Sequence, residues 1–284
     1  MNVELFLLVI SLLFFASIFT DKLSSRLGVP ALLLFLGVGM LFGEDGFGLE
    51  FENIPLAQAF STVALCVILF EGGLSTKFQQ IHRVMKEGIS LATVGVLFTC
   101  FISGVLIYFV LRWTNVSQEV SLMGALLIAA TMSSTDAASV FSILRTKGIS
   151  LKHNLRPILE LESGSNDPMA YILTTTLIGV LTSANGVSWF GIIFTVIWQV
   201  AAGLAVGFVF GQFIVWLMNK VKIGNHSLYP LLILTACIFI FAITHYLQGN
   251  TYLAVYVGGL VIGNNKFTRK RQDKSYVSVI PFEN

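Results

Sequence analysis

Apolar runs long enough to cross a bilayer recur along this chain with only short polar breaks between them, and no other feature restricts its fold more. A membrane helix needs roughly 17–25 predominantly apolar residues. Runs that meet or approach that length fall at 3–20, 29–44, 57–75, 88–111, 120–144, 156–183, 188–218, 227–247 and 252–266, which predicts nine spans. The second is short and rich in glycine, with Gly37, Gly39 and Gly43. Composition agrees, since 55% of the residues are hydrophobic and only 11% are charged, against about 25% charged in a soluble domain. A soluble core of 284 residues has too little interior to hide that much apolar surface. The expected class is therefore an all-α polytopic membrane protein of about nine transmembrane helices.

The charges give an orientation. Every Lys and Arg except Arg112 falls in the loops that follow odd-numbered spans, from Lys22 and Arg26 after the first to Lys266, Arg269, Lys270, Arg271 and Lys274 after the ninth. The acidic loop of Glu44, Asp45, Glu50 and Glu52 lies on the opposite side. Basic loops stay in the cytoplasm, so the expected N-terminus is outside. The first residues have neither a basic start nor a small-residue cleavage site, which predicts a retained first span rather than a secretory signal. The basic residues form no single patch, so no nucleic-acid partner is expected. Cys66, Cys100 and Cys237 all sit in apolar runs without metal-ligand spacing and read as buried small hydrophobes. No cofactor is expected. His82, His153 and His226 read as solvated loop residues, and His245 as the outer end of the eighth span.

Gly39-Met-Leu-Phe-Gly43-Glu44 in the second span is similar to Gly259-Leu-Val-Ile-Gly263-Asn264 in the ninth. Seven spans apart, the two segments would cross the membrane in opposite directions, as the halves of inverted repeats do. Both also fit the plain packing motif in which glycines four residues apart let helix backbones approach.

Two spans break the apolar rule with acids. A carboxylate at the bilayer centre costs at least about 2.5–3.5 kcal/mol on insertion scales. The fifth span nevertheless holds Thr131-Met-Ser-Ser-Thr-Asp136, and the sixth holds Glu160-Leu-Glu162-Ser163-Gly-Ser-Asn166-Asp167-Pro168. Hydroxyl side chains can satisfy backbone groups freed where a membrane helix unwinds, and an unwound backbone offers carbonyls to a cation. Pro168 has no N–H, so it is expected to disrupt its helix and free the Gly164 carbonyl. Ser163 and Asp167, four residues apart, share a face.

Counting about 1.5 Å per residue from the inner ends of the two spans, Asp136 and Asp167 come out roughly 12 and 15 Å deep, the same level within a turn. Carboxylates among hydroxyls and carbonyls suit a hard monovalent cation. At buried, neighbouring carboxylates protons compete with such a cation, and that competition is the core of antiport. The bland alternative, an acid paired with a base to hold helices together, lacks its base, because no Lys or Arg lies inside the spans, Arg156 and Lys266 standing only at span ends. Glu160 and Glu162 lie nearer the inner surface, where a structural or gating role is as natural as substrate contact. Glu71 closes the third span and reads equally as an interfacial acid or a site residue.

At these residues the sequence resembles the bacterial monovalent cation/proton antiporters of the sodium/proton exchanger superfamily. The similarity rests on Ser134-Thr135-Asp136-Ala137-Ala138 and Glu162-Ser163-Gly164-Ser165-Asn166-Asp167-Pro168. It extends to Leu69-Phe70-Glu71-Gly72-Gly73-Leu74, to Ser24-Ser-Arg26-Leu27-Gly28-Val29-Pro30, and to Leu253-Ala254-Val255-Tyr256-Val257-Gly258-Gly259-Leu260. The chain looks most like the potassium/proton branch. The resemblance implies an inverted-repeat fold with an unwound helix in its core, exchange of K+ or Na+ for H+ across the cytoplasmic membrane, and a homodimer whose core domain carries the ion by an elevator-like motion. It implies dimer-domain helices over 1–75, a core transport domain over 76–183, a linking helix over 184–220, further dimer-domain helices over 221–267 and a cytoplasmic tail over 268–284. By the same implication Asp136, Asp167, Ser163 and the Thr135 carbonyl bind the cation, and Glu71 reaches it through water. Asn166 holds the local structure, the Asn-Asp pair goes with electroneutral exchange, and Glu162 pairs with an arginine on a much later span. Relatives have further spans that carry the other half of the core, so this chain is expected not to transport alone. It would then be a fragment or an assembly partner.

Two other classes fit the sequence less well. Intramembrane aspartyl proteases use two acids within Tyr-Asp and Gly-x-Gly-Asp patterns, and neither pattern surrounds Asp136 or Asp167. A channel would call for a repeated pore loop, which the sequence does not show.

Overall fold

A computed structural model describes residues 3–27, 29, 31–44, 46–48, 53–114, 119–146, 151–183, 188–220 and 228–265. The described residues are helical, with no strand among them. α1 (Val3–Leu27), α2 (Ala31–Phe42) and α3 (Ile54–Ser75) come first. A near-continuous helical stretch follows, made of α4 (Phe78–Ile81), a 3₁₀ turn (His82–Val84), α5 (Met85–Ser90), a π-helical stretch (Leu91–Gly95) and α6 (Val96–Trp113). Then come α7 (Leu122–Thr131), α8 (Ala137–Thr146), α9 (Leu155–Thr182), α10 (Trp189–Lys220), α11 (Leu228–Tyr246) and α12 (Thr251–Gly263). Among the described residues, five stretches are long and apolar enough to cross a membrane: Leu7–Ser24, Ile54–Ser75, Phe78–Trp113, Trp189–Lys220 and Leu228–Tyr246. Large apolar side chains stand exposed along them, among them Phe14, Phe98, Phe101, Phe194 and Phe208. In water such a surface would aggregate; in lipid it needs no cover.

The chain divides into two compact units, one of Met1–Gln58 with Asp136–His153, the other of Ala59–Thr135 with Asn154–Asn284. In the first, α1 packs on α2, and the Ser24 hydroxyl donates to the Val29 carbonyl at 2.7 Å across the bend between them.

The second unit is built around α12, whose residues are mostly buried. Small residues explain how one helix can be enclosed by so many others. Gly203, Gly207 and Gly211 recur every fourth residue along α10 and face α12. A Cβ at Gly207 would collide with the Ala254 carbonyl oxygen, and one at Gly203 would lie 2.8 Å from that of Asn250. On another side, Gly259 and Gly263 of α12 sit against the Phe70 and Leu74 carbonyls of α3, while Gly73 of α3 sits against that of Tyr256. The Gly259–Gly263 pair is thus a packing face in the ordinary sense of closely approached membrane helices. Cys66, Phe70, Cys237, Ile240, Val255 and Ile262 fill the core beside it. The cysteines are free and buried as expected, with the Cys66 and Cys237 sulfurs 3.3 Å apart.

Both ends of α12 are closed by asparagines. Asn250 caps the N-terminus, its Oδ1 accepting from the Leu253 N–H at 2.9 Å. Asn264 closes the other end by donating to the Thr76 carbonyl at 2.8 Å and accepting from the Phe78 N–H at 2.7 Å. Thr76 and Phe78 flank the break between α3 and α4, so one amide satisfies orphan groups of two helix ends.

Two local expectations have opposite outcomes. The hydroxyl run of the fifth span does unwind, since residues 133–136 are non-helical between α7 and α8. Pro168, by contrast, does not break the sixth span: α9 runs unbroken from Leu155 to Thr182. The reason lies in the neighbour. The Tyr256 ring of α12 packs on Gly164, and Asn250 donates to the Pro168 carbonyl at 2.9 Å, so the weakened turn is held from outside.

Candidate functional site

The unwound stretch and α9 meet through their polar residues. α7 begins under a Ser121 cap, whose hydroxyl accepts from the Gly124 N–H at 3.1 Å. It ends where four hydroxyl residues, Thr131, Ser133, Ser134 and Thr135, follow one another closely. Thr131 donates to the Ile128 carbonyl and Ser133 to that of Ala130, each at 2.7 Å, while the Met132 and Ser133 N–H groups close a tight last turn. Such local side-chain bonds compete with helix continuation. The backbone of Ser134 and Thr135 is left to be satisfied elsewhere.

α9 supplies the partners from two adjoining rows, Glu162 with Asn166 and Ser163 with Asp167, each pair one turn apart. Asn166 is fully buried. Its Nδ2 donates toward the Thr135 carbonyl at 3.1 Å, the Thr135 hydroxyl at 2.7 Å and Glu162 Oε1 at 2.9 Å. The Thr135 hydroxyl, accepting from Asn166, donates in turn to Glu162 Oε1 at 2.7 Å. Ser134 donates toward Asn166 Oδ1 at 3.2 Å and to the Asp167 carboxylate. Ser163 donates to the Thr135 carbonyl at 3.4 Å. Glu162 is thereby held by Thr135 and Asn166.

Of the residues singled out, this unit joins Thr135, Glu162, Ser163, Asn166 and Asp167. Asp136 ends the unwound stretch and is exposed. Glu71 is exposed on α3 and takes no part in these hydrogen bonds. Glu160 forms an ion pair with Arg156, one turn earlier on α9, at 2.8 Å. Pro168 is buried on the side of α9 that meets α12. Ser134 belongs to the site although only its neighbours were chosen from the sequence; the signal was the hydroxyl run itself. Asn250 had no such signal, because its partner at Pro168 is 82 residues away.

Chemically, the cluster offers carboxylates at Asp167 and Glu162, the hydroxyls of Ser134, Thr135 and Ser163, and a backbone carbonyl freed from a helix. The C-terminal end of α7, partly negative, adds to a field that favours a cation. Oxygen donors of this kind suit hard cations rather than thiophilic metals.

Membrane helices with one of them unwound where hydroxyls and a carboxylate gather are a recurrent feature of secondary transporters. Comparison with known proteins agrees. The family model described as "Sodium/hydrogen exchanger, transmembrane" matches residues 9–282, and the chain belongs to that family. It is 39% identical over 265 residues to the K(+)/H(+) antiporter NhaP of Alkalimonas amylolytica, a match covering 92% of this chain and 44% of that one. To the K(+)/H(+) antiporter NhaP2 of Shewanella baltica it is 39% identical over 274 residues, covering 95% of this chain and 45% of the other. The chain therefore spans under half the length of these relatives. The structure of the sodium proton antiporter MjNhaP1 from Methanocaldococcus jannaschii at pH 8 superposes with a TM-score of 0.64 at 22% identity, covering 91% of this chain and 64% of that one. An electron-microscopy structure of MjNhaP1 gives 0.69 at 21% identity, covering 93% and 62%. These likenesses establish the fold. The family is one of transporters rather than enzymes, and the chain is that of a multi-pass protein of the cytoplasmic membrane.

Proposed function

We propose that this chain carries the cation and proton site of a secondary transporter that exchanges K+ or Na+ for H+. The observation that carries the reading is the unwound Ser134–Thr135 segment, with its hydroxyls and carbonyl turned toward Ser163, Asn166 and Asp167 of α9. Asp167, Ser163 and the Thr135 carbonyl ligate the cation, joined by Ser134. Asp136, which follows Thr135 directly in the chain, is the second exchanging carboxylate. Glu71 completes the set through water. Protons and the cation compete for the carboxylates, so loading one releases the other. Asn166 contributes no charge, and the exchange is electroneutral. The names of the relatives as K(+)/H(+) antiporters favour potassium.

In the assembled transporter 1–75 and 221–267 are dimer-domain helices and 76–183 the moving core, with 184–220 linking them. The working unit is a homodimer.

Proton release tests the reading. KCl or NaCl is added to the purified chain in weakly buffered detergent solution while pH is followed. Saturable acidification that favours one cation, and that disappears in Asp167→Asn, is the expected result. Release that is unchanged in both Asp136→Asn and Asp167→Asn would falsify the site.

A further inference from the structure

α12 clamps α9 directly behind the cluster. Gly164 and Pro168, one turn apart, form a row of α9 beside the row of Ser163 and Asp167. The Tyr256 ring covers Gly164, and Tyr252 packs edge-on against Tyr171 with ring centroids 4.9 Å apart. Between these contacts the Asn250 side chain, 1% exposed, donates to the Pro168 carbonyl at 2.9 Å. Pro168 is the residue that follows Asp167.

Asn250 is fixed by every polar group it has. Its N–H donates to the Gln199 carbonyl of α10 at 2.9 Å, its carbonyl accepts from the Ala254 N–H at 3.1 Å, and its Oδ1 caps α12 through Leu253. The amide can adopt only one orientation, because a flip would turn a donor to Leu253 N–H and an acceptor to the Pro168 carbonyl. Proline removes from α9 the hydrogen bond to the Gly164 carbonyl, one turn earlier and under the Tyr256 ring. From α12, the Asn250 side chain donates to the Pro168 carbonyl at the other edge of the same stretch.

We propose that Asn250 is a positioning residue for the ion site: its amide holds the Pro168 carbonyl and thereby sets the direction of the Asp167 carboxylate. The inference rests on the cation reading of Asp167. Asn250 touches neither ion. Its effect passes through the backbone of one residue, as outer partners orient the ligands of metal sites.

Asn250→Ser separates the two jobs of this side chain. Serine is as good a helix cap as asparagine, but it is too short to reach Pro168. Binding of radioactive rubidium or sodium to the purified full chain is measured over a range of pH, together with the thermal melting midpoint. Expected for Asn250→Ser is a melting midpoint near wild type, cation affinity lowered about tenfold, the lower end of what loss of such an outer partner costs, and a displaced pH profile of binding. Asn250→Gln, which keeps the donor, recovers part of the affinity. Wild-type affinity and pH profile in Asn250→Ser would overturn the proposal, and so would an affinity loss that only follows a fall in the melting midpoint. If wild type and Asp167→Asn bind alike, the cation reading itself fails, and the positioning role with it.

Discussion

Replacing Asn166 by alanine removes the residue that makes the most hydrogen bonds between α9 and the unwound segment. The amide is fully buried and reaches the Thr135 carbonyl, the Thr135 hydroxyl, Glu162 and Ser134. Its two protons serve three acceptors, so two good bonds are at stake. One to a neutral group contributes about 1 kcal/mol net, and one to a charged group about 1.5–3 kcal/mol. The sum is about 3 kcal/mol, and the Thr135 carbonyl keeps the 3.4 Å contact with Ser163. At about 1.4 kcal/mol per factor of ten, the full loss corresponds to roughly a hundredfold. Part of it falls on the fold and part on the ligand geometry. In equilibrium binding of radioactive rubidium or sodium to purified protein, Asn166→Ala is expected to weaken affinity by at least about tenfold. Asn166→Asp preserves volume but turns donors into acceptors beside Glu162, so it is expected to be worse than alanine. Unchanged cation affinity and melting midpoint in Asn166→Ala would refute the claim that this amide organises the site.

Two further outcomes follow from packing. Gly207→Ala drives a methyl into the Ala254 carbonyl, where neither backbone can yield, and is expected to lower the melting midpoint in detergent. Gly179→Ala has open space and should leave the midpoint unchanged or raise it, as removing a helical glycine does; equal effects of the two would refute the close-packed glycine interface. Cys66, Cys100 and Cys237 are buried, so a water-soluble maleimide should label none of them until the protein is denatured. Mass spectrometry of native and unfolded samples checks this.

How much of this was legible in the sequence depended on the range of the interaction. The third span was expected at 57–75 and runs from Ile54 to Ser75; the seventh, at 188–218, runs from Trp189 to Lys220. Hydrophobicity sets such lengths locally. The unwinding before Asp136 was legible for the same reason, since the hydroxyls that cap α7 lie in the segment that opens. Helical structure begins ten residues before the expected start of the fourth span at 88, because Phe78–Glu87 is polar enough to lie outside an apolar window yet still helical. The π-helical stretch at Leu91–Gly95 carried no sequence signal. Pro168 was misread because a proline breaks a helix only if nothing outside supports the turn, and its support comes from α12. Asn166, Glu162 and Thr135 stood out as polar groups in an apolar span, but their triangle of hydrogen bonds depends on how α7 meets α9. No local pattern encodes that.

The shortness of α12 has a consequence for how the protein is made. Thirteen residues at about 1.5 Å each give roughly 20 Å, less than the ~30 Å of hydrocarbon a lone helix must cross. Both of its ends are sealed by side chains or backbone of α3, α9 and α10 and of the turn leading into α4. During synthesis this segment cannot partition into lipid as an independent unit. It must wait at the insertion machinery until the earlier helices have assembled, and then enter as their guest. A lesion in α3 or α10 would therefore show itself as failed biogenesis of α12 before it showed itself as lost activity.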